Sequence, residues 1–480
     1  MNKKLIFKII GIILGIEGIF LLIPFVIALV CRENTAAFGV TALLCLAVGL
    51  PLSRLRTAKT RLQIRDGYMA VALSWLTMAL FGALPYSLSH VVPAYVDALF
   101  ETVSGFTTTG ASVFETVEQL PRSILFWRAM TQWLGGMGVL VMVLALLPKL
   151  SEGSVNLMRA ESPGPISTKL LPRTADTAKM LYTIYIALTA AQAVLLRLTG
   201  MPWFDAVTNS LTTISTGGFS VRNASVSFYH SSAVNWILIF FMFISSVNFS
   251  LLYMFITRRA RDALRSEELR AYIGIVFGAT GLIALDLVLR TGLDVYHAIE
   301  QAAFQVTTII STTGFYTEDY DLWPHFCRSI LLVVMFVGGC AGSTAGGIKV
   351  SRIVVLFKGF KRELRRILHT REVRPITLDG QRVEDDTVSA VSAFFFAYVV
   401  ILFMCTAVVS LDDVNLSTSL SATMTSISNV GPALSLAGPT RNFAFFSPLS
   451  KLALSFTMLL GRLEIMPLLV LFLPSVWRKK

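Results

Sequence analysis

Apolar segments long enough to cross a membrane recur along this chain, and they leave few alternatives to a helical membrane fold. Mean hydropathy is +0.68 and only 15% of the residues are charged, against about 25% in soluble proteins. A transmembrane barrel would instead show short segments of alternating polarity. The predicted fold class is therefore an all-α polytopic membrane protein.

Four short stretches rich in threonine, serine and glycine interrupt the apolar sequence, at residues 104–112, 212–220, 308–316 and 425–433. When they are aligned, each contains a glycine with a hydroxyl residue three positions before it. The aligned glycines are Gly110, Gly218, Gly314 and Gly431. The hydroxyl residues are Thr107, Ser215, Ser311 and Ser428. Four copies of one turn predict four repeated units around a common centre.

A turn of this composition can direct backbone oxygens at an ion. Glycine adopts the left-handed backbone at little cost, so successive carbonyl groups can point the same way. Carbonyl groups that converge from four turns could replace the water shell of a cation, as in potassium filters. No ring of Asp or Glu occupies the turns, which favours a monovalent ion, and potassium over sodium. The alternative is that these are ordinary extracellular turns.

Each turn has the same surroundings: a long apolar helix, a half-helix, the turn, and a second long helix. A half-helix of roughly ten residues spans about half of the bilayer, so it should enter and turn back beside a pore. We expect four such repeats around one pore, after a two-helix N-terminal unit at residues 1–65 whose first helix is not cleaved as a signal peptide. The repeats span residues 66–150, 177–258, 268–360 and 386–480.

Basic residues lie mainly in the connections between repeats and at the end of the chain. The positive-inside rule places these connections and both termini in the cytoplasm, and the four turns on the outside. The basic connection at residues 361–386 is expected to contact anionic headgroups of membrane lipid, with a cytosolic partner as the alternative.

Acidic residues flank the turns and are expected to form an outer vestibule that concentrates cations. They are Glu115, Glu118, Glu318, Asp319, Asp321, Asp412 and Asp413. The alternative for each of them is an ordinary solvated loop residue.

A glycine-rich stretch at residues 338–347 falls midway along the second helix of the third repeat. Each glycine destabilises a helix by roughly 1 kcal/mol relative to alanine, so we expect an unwound, mobile loop beneath the turns that gates the pore. The predicted gate residues are Gly338, Gly339, Gly342, Ser343, Thr344, Gly346, Gly347 and Arg462. The alternative is close packing of helices through small residues. A nucleotide-binding Walker loop is excluded, because Ile348 stands where that loop requires lysine.

An arginine and a glutamate lie inside predicted apolar helices, where a charge is costly. Arg462 is expected to face the pore or to contact the glycine-rich stretch, and an ion pair with Glu464 or Asp286 is the alternative. Glu17 is expected to form an interhelical hydrogen bond rather than to bind an ion.

No pattern of residues supports an enzyme, a bound organic cofactor or a nucleic-acid partner. The five histidines are scattered, and the five cysteines lack the spacing of metal ligands. The formal net charge of +12 could suggest nucleic acid, but the basic residues separate apolar segments, as topology determinants do.

The four turns, residues 338–349 and residues 461–464 together resemble the Trk/Ktr/HKT superfamily of potassium transporters, most closely its bacterial TrkH type. The resemblance covers nearly the whole chain. It implies potassium uptake across a bacterial inner membrane through a selective, gated, channel-like pore, and it leaves open a coupling to sodium or protons. It also implies a homodimer of two pores that binds a cytosolic, TrkA-like nucleotide-binding subunit. The alternative is a membrane scaffold or sensor that does not conduct.

The resemblance also assigns residues to the filter and to the gate. The four aligned glycines would be the filter glycines, and potassium is the only cofactor implied. The backbone oxygens that would hold it belong to Thr108, Thr109, Thr216, Gly217, Thr312, Thr313, Asn429 and Val430. Residues 338–347 would form the intramembrane gate, with Arg462 at its constriction. The fourth turn has Asn429, Val430 and Pro432 around its glycine. The resemblance therefore does not imply that this turn contributes to the filter equally with the other three.

Overall fold

The computed structural model describes residues 2–56, 64–138, 174–257, 259–369 and 375–474, and nearly all of the regular structure is helical. Six helices in these ranges are long and apolar enough to cross a membrane, and two bent pairs of helices would raise the number to eight. The helical, polytopic membrane fold expected from the sequence is confirmed.

Within the described ranges, three helices precede the repeats. Helices α1 and α2 form one apolar stretch of 29 residues, and α3 returns beside it. Their bounds are Lys3–Phe20, Leu22–Cys31 and Ala36–Ser53. A Cβ atom on Gly49 would lie 2.8 Å from the carbonyl oxygen of Gly11. Glycine at the crossing therefore allows α1 and α3 to pack backbone to backbone.

Each repeat contains a long first helix, a half-helix and a second helix. The first repeat has α4 (Ile64–Gly82), α5 (Leu84–Leu88), α6 (Tyr95–Phe106) and α7 (Arg122–Gly136). The second has α8 (Thr174–Leu198), α9 (Trp203–Ile214), α10 (Ser232–Ser245) and α11 (Phe249–Ile256). The third follows the short α12 (Ala260–Leu264) and has α13 (Glu267–Thr291), α14 (Val295–Ile310), α15 (His325–Val337) and α16 (Val350–Leu368). The fourth has α17 (Asp385–Val409), α18 (Leu416–Ser428), α19 (Pro448–Arg462) and α20 (Met466–Leu469). Short 3₁₀ helices lie at Val117–Gln119, Ser225–Tyr229, Tyr320–Leu322, Ser410–Asp412, Ser435–Ala437 and Val470–Phe472.

The four half-helices are α6, α9, α14 and α18, and polar residues mark where they begin. Asp294 and Asn415 cap α14 and α18, and each side chain accepts a backbone N–H from the first turn, at 3.0 and 2.8 Å. Asp97 and Asp205 lie in the first turns of α6 and α9. A carboxylate is stabilised there by the partial positive charge of the helix N-terminus.

Contacts between neighbouring repeats close the four units into a ring. The second helix of each repeat packs on the half-helix of the next, as α7 does on α9, α10 on α14 and α15 on α18. Helix α19 packs on α6, which joins the fourth repeat to the first. Helices α1 and α2 pack against α4 and α7 of the first repeat.

Two of the second helices are broken, although the sequence predicts continuous helices near residues 233–257 and 447–475. The chain bends by 103° between α10 and α11, and by 118° after α19. The second break coincides with positive φ angles at Glu464 and Ile465, of 55° and 67°, values that a right-handed helix excludes. The helix predicted near residues 123–148 ends at Gly136, and Gly138 has a φ of 77°; residues 139–148 lie outside the described residues.

The break predicted within the third repeat is present. Helix α15 ends at Val337 and α16 begins at Val350, with no helix between them.

The chain also contains a hairpin that the all-α prediction did not include, because β1 (Thr377–Leu378) pairs antiparallel with β2 (Gln381–Arg382). Asp379 and Gly380 connect the strands with φ of 52° and 77°, the conformation that Asp-Gly pairs favour in hairpins.

Candidate functional site

The four turns have the same backbone conformation. The residue two positions before each aligned glycine is left-handed, with φ between 55° and 57°, and each glycine is left-handed as well. These residues are Thr108, Thr216, Thr312 and Asn429. A β-branched residue is rarely found in this conformation, and a strained backbone of this kind persists only where the surrounding structure fixes it. The fourth turn therefore matches the others in backbone, despite its different sequence.

The N–H groups of each turn bond back to its own half-helix. In the first turn, Thr108 and Thr109 donate to the carbonyl groups of Gly105 and Ser104, each at 2.9 Å. The second and third turns repeat both bonds at 2.8–3.0 Å, and the fourth at 3.0 and 3.3 Å. Because N–H and C=O point in opposite directions across a trans peptide, the carbonyl groups of these peptides face away from the half-helix.

Each aligned glycine lies directly against a carbonyl group of the next turn. A Cβ atom built on the glycine would overlap that carbonyl oxygen in three cases and would lie 2.6 Å from it in the fourth. The pairs are Gly110 with Gly217, Gly218 with Thr313, Gly314 with Val430 and, at 2.6 Å, Gly431 with Thr109. The four turns thus form a closed ring of contacts, and no side chain fits at the glycine positions.

The fourth turn is linked to the first by a side chain. The amide of Asn429 donates to the hydroxyl of Thr109 and to the carbonyl oxygen of Met458, both at 2.9 Å. The departure of this turn from Thr-Thr-Gly therefore adds a bond that helps to close the ring.

Gln132 of α7 holds the second turn, and the sequence did not single it out. Its Nε2 donates to the carbonyl oxygen of Gly217 at 2.7 Å, and its Oε1 accepts from the N–H of Phe219 at 3.0 Å. The side chain is fully buried. A polar residue within an apolar helix is a signal that could have identified it.

A buried ion pair holds the chain that follows the first two turns. Arg128 Nε lies 2.7 Å from Glu101, and both side chains are at most 3% exposed. The guanidinium also donates to the hydroxyl of Ser112 and the carbonyl of Ser220, each at 3.2 Å. An arginine that pairs with a carboxylate and carries further hydrogen bonds can offset the cost of burying its charge. Sequence reasoning missed this pair as well, since its members are distant in the chain.

A cavity of about 140 Å³ lies above the ring and is lined by all four aligned glycines. Its charged lining residues are Glu115, Arg128, Arg222 and Arg441.

The predicted acidic vestibule is therefore not found at this mouth. Glu318 and Asp319 line a neighbouring cleft of about 440 Å³, while Asp321 pairs with Arg328 and Asp412 accepts from the N–H of Ser447. These acids mostly hold outer loops in place.

Tyr316 also lines the mouth of the ring. Burial, together with the nearby carboxylate of Asp319, raises the pKa of this phenol to about 12. The hydroxyl is therefore neutral at physiological pH and donates to the carbonyl of Asn223.

The glycine-rich stretch lies against the inner side of the ring. The N–H of Gly346 donates to the hydroxyl of Thr312 at 2.7 Å. The hydroxyl of Thr344 donates to the carbonyl of Ile214, the last residue of α9, at 3.0 Å. A Cβ atom on Gly346 would overlap the carbonyl oxygen of Ser428, at the end of α18. The stretch thus contacts the second, third and fourth repeats.

The same stretch separates α10 from α11. The N–H of Cys340 donates to the carbonyl of Ser246 at 2.9 Å, and the N–H of Phe249 donates to the carbonyl of Gly342 at 3.1 Å. These bonds replace helical bonds at the break, which accounts for the 103° bend.

Both ends of the stretch are held together. The N–H groups of Lys349 and Val350 donate to the carbonyl groups of Val337 and Gly339, each at 3.0 Å. Glu268 bridges the ends from α13, since its carboxylate accepts from the N–H of Ala341 at 2.6 Å and of Ser351 at 3.1 Å.

Arg462 contacts the glycine-rich stretch, as the sequence suggested. Its guanidinium donates to the carbonyl of Thr344 at 2.8 Å, and to Gly135 at 2.6 Å and Gly136 in the first repeat. Glu464 pairs with Arg352 instead, and Asp286 pairs with Arg290 at 2.7 Å. A cavity of about 70 Å³ lies between Arg462 and the stretch.

Glu17 does not form the expected interhelical hydrogen bond. Its side chain is 1% exposed, and its carboxylate oxygens have no hydrogen-bond partner in the described part of the chain.

Comparisons with known proteins identify relatives along the whole chain. The TrkH family model, described as a cation transport protein, matches residues 33–479. The Trk system potassium uptake proteins TrkH of Salmonella typhimurium and of Escherichia coli K12 are each 38% identical, with 100% of both chains covered. The TrkG protein of Escherichia coli K12 is 33% identical over 98% of this chain and 97% of its own. The crystal structure of the potassium transporter TrkH from Vibrio parahaemolyticus matches with a TM-score of 0.90 and 35% identity, covering 100% of both chains.

Replacing Gly218 with alanine should lower the unfolding temperature more than replacing Gly200. Both glycines are left-handed, with φ of 76° and 95°, so both variants carry the backbone cost of roughly 1 kcal/mol. Only at Gly218 does the new Cβ atom meet a carbonyl oxygen, since nothing lies within 4 Å of a Cβ atom at Gly200. Tryptophan fluorescence of the detergent-purified variants measures the difference, and equal shifts would contradict the ring geometry.

Proposed function

This chain belongs to the TrkH family of cation transport proteins, and we propose that it takes up potassium through a selective, gated pore inside the ring of four turns. The chain is a multi-pass membrane protein, and its relatives are transport proteins rather than enzymes. The observation that carries the proposal is the closed ring, in which every aligned glycine meets a carbonyl oxygen of the next repeat.

The carbonyl groups of the turns are proposed to hold dehydrated potassium. They belong to residues 108–110, 216–218, 312–314 and 429–431, which include the four aligned glycines. The half-helices end at the ring, so the partial negative charge of their C-termini stabilises a cation there. The hydroxyl of Thr108 is buried and has no hydrogen-bond partner within the described ranges, which leaves a further oxygen available. With no carboxylate in the turns, a monovalent ion is favoured.

Residues 338–347 and Arg462 are proposed to form the gate. The stretch lies beneath the ring and contacts three repeats, and Arg462 connects it to the first. A positive charge at this level repels a cation that leaves the ring. Opening would then require the bonds from Arg462 to Thr344 and Gly135 to break together.

We also propose how the chain is divided into units, in which membrane it lies and with which subunits it assembles. The N-terminal unit, the four repeats and the boundaries between them are as given from the sequence. Both termini are assigned to the cytoplasm, and the membrane to the bacterial inner membrane, on the positions of the basic residues.

We also propose a homodimer with one pore per chain and a TrkA-like, nucleotide-binding cytosolic subunit. The names of the relatives place them in a Trk system, which supports such a subunit.

Replacing Gly110 or Gly218 with serine should admit sodium. The new side chain displaces the carbonyl group of Gly217 or Thr313, and the displaced oxygen loosens the fit around potassium. Uptake of rubidium and sodium into proteoliposomes measures the preference, with Gly200→Ser as the matched control because its surroundings are open. An unchanged potassium preference in both variants would remove the support for this filter.

Replacing Gln132 with leucine should also reduce the preference for potassium over sodium. Leucine cannot donate to the carbonyl oxygen of Gly217 or accept from Phe219, so the second turn loses both bonds. Gln192→Leu is the control, since that side chain is also fully buried and its amide has no partner among the described residues. Reversal potentials in planar bilayers give the permeability ratio. A ratio equal to that of the control would show that Gln132 only fills space.

Deleting residues 338–347 should raise the basal flux of potassium, because the proposed gate is removed. The deletion joins Val337 to Ile348, and the two ends are already close, because the N–H of Lys349 lies 3.0 Å from the carbonyl oxygen of Val337. Rubidium flux into proteoliposomes that contain this chain alone measures the effect. Unaltered or abolished flux in a well-folded variant would assign the stretch to packing instead.

A separate measurement on the wild type tests for symport. Uptake against a potassium gradient at a clamped membrane potential would indicate coupling to another ion.

A further inference from the structure

The second half of α16 carries an exposed apolar stripe with a basic stripe beside it. Phe357, Phe360, Leu364, Ile367 and Leu368 are between 48% and 77% exposed. At 100° per residue they fall within one arc of the helix, of roughly 100°. The neighbouring arc carries Lys358, Lys361, Arg362, Arg365 and Arg366. A helix with this pattern is suited to the boundary between acyl chains and headgroups.

The basic stripe forms one wall of a groove. The groove has a volume of about 250 Å³, and all five basic residues of the stripe line it. Residues 375–377, which lead into the hairpin, form the opposite wall. The groove is therefore a shaped cationic recess rather than a scatter of surface charges.

Two ion pairs place this part of α16 at the surface of the membrane. Lys358 pairs with Glu267, and Arg362 pairs with Asp385 at 2.7 Å. Glu267 and Asp385 are the first residues of two helices that are long and apolar enough to cross a membrane. Residues 358–362 consequently lie at the level where these spans begin.

The ion pairs leave part of the basic stripe available. Glu363 lies within 4 Å of Arg362 and Arg366, at 3.4 and 3.8 Å. Lys361 and Arg365 have no acidic partner in the ranges that the structure describes. They lie four residues apart on one face of the helix. Two cations so placed can bind the oxygens of one phosphate.

We propose that this groove is a binding site for the headgroup of an anionic phospholipid, held chiefly by Lys361 and Arg365. The apolar stripe beside the groove identifies the ligand as a lipid rather than a free anion, because Phe360 and Ile367 would contact the acyl chains while the phosphate enters the groove. The site does not depend on which ion the pore conducts. Helix α16 connects it to the proposed gate, since this helix begins at Val350, shortly after the glycine-rich stretch.

Native mass spectrometry of the full-length protein tests the site with dioleoyl phosphatidylglycerol and, as the neutral probe, dioleoyl phosphatidylcholine. The double variant Lys361→Gln, Arg365→Gln should bind phosphatidylglycerol about tenfold or more weakly, and phosphatidylcholine equally well. Lys3→Gln, Lys4→Gln is the matched control, because these two lysines are exposed and lie outside the groove. Lys361→Arg, Arg365→Lys keeps both charges and should retain binding.

A second variant separates a lipid from a soluble anion or an acidic protein surface. Phe360→Ser, Ile367→Ser leaves the charges intact and should also weaken phosphatidylglycerol binding. Equal binding by the wild type and the double glutamine variant would overturn the proposal. Full displacement of the lipid by millimolar inorganic phosphate, or unchanged lipid binding in the serine variant, would overturn it as well, in favour of a soluble anionic partner. Rubidium flux in the same samples reports on the pore separately, so loss of the lipid site and failure of the transport proposal are distinguishable.

Discussion

The ring of four turns depends on one backbone constraint: the N–H groups of each turn must be satisfied by its own half-helix while neighbouring turns touch one another. Left-handed residues at Thr108, Thr216, Thr312 and Asn429 meet this constraint, and the glycines that follow allow neighbouring turns to touch. The second helices of the first and fourth repeats also approach the ring through glycines. Gly135 and Gly461 lie against the carbonyl groups that end α6 and α18, so a side chain at either position would push a helix away from the ring. Conformational freedom at a few glycines thus determines how four helical units come together.

Below the ring, the breaks in the second helices are connected to one another. The glycine-rich stretch supplies hydrogen bonds at the break between α10 and α11, and Arg462, the last residue of α19, bonds to the stretch and to the end of α7. The stretch therefore contacts three repeats directly and is connected to the first through Arg462. Movement of one break would change hydrogen bonds at the others, which gives the proposed gate a physical basis for opening as a unit.

Local sequence predicted the features with local causes. The turns, the half-helices and the break before Val350 follow from threonine and glycine content, apolar length and the cost of glycine in a helix. The bend after Ser245 was missed because its cause lies about one repeat further along the chain, in the hydrogen bonds that Cys340 donates and Gly342 accepts. Gln132 and the pair of Glu101 with Arg128 were missed because their partners belong to other elements. The acidic vestibule was wrongly expected because charge content does not show which side chains tie loops together.

The most direct test of the central claim is to locate the ion. Crystals grown in rubidium and measured at its absorption edge should give an anomalous peak on the axis of the ring, surrounded by the carbonyl oxygens of Thr109, Gly217, Thr313 and Val430. Crystals grown in sodium should lack it. An anomalous map with no peak inside the ring, or with its strongest peak away from the four turns, would contradict the account.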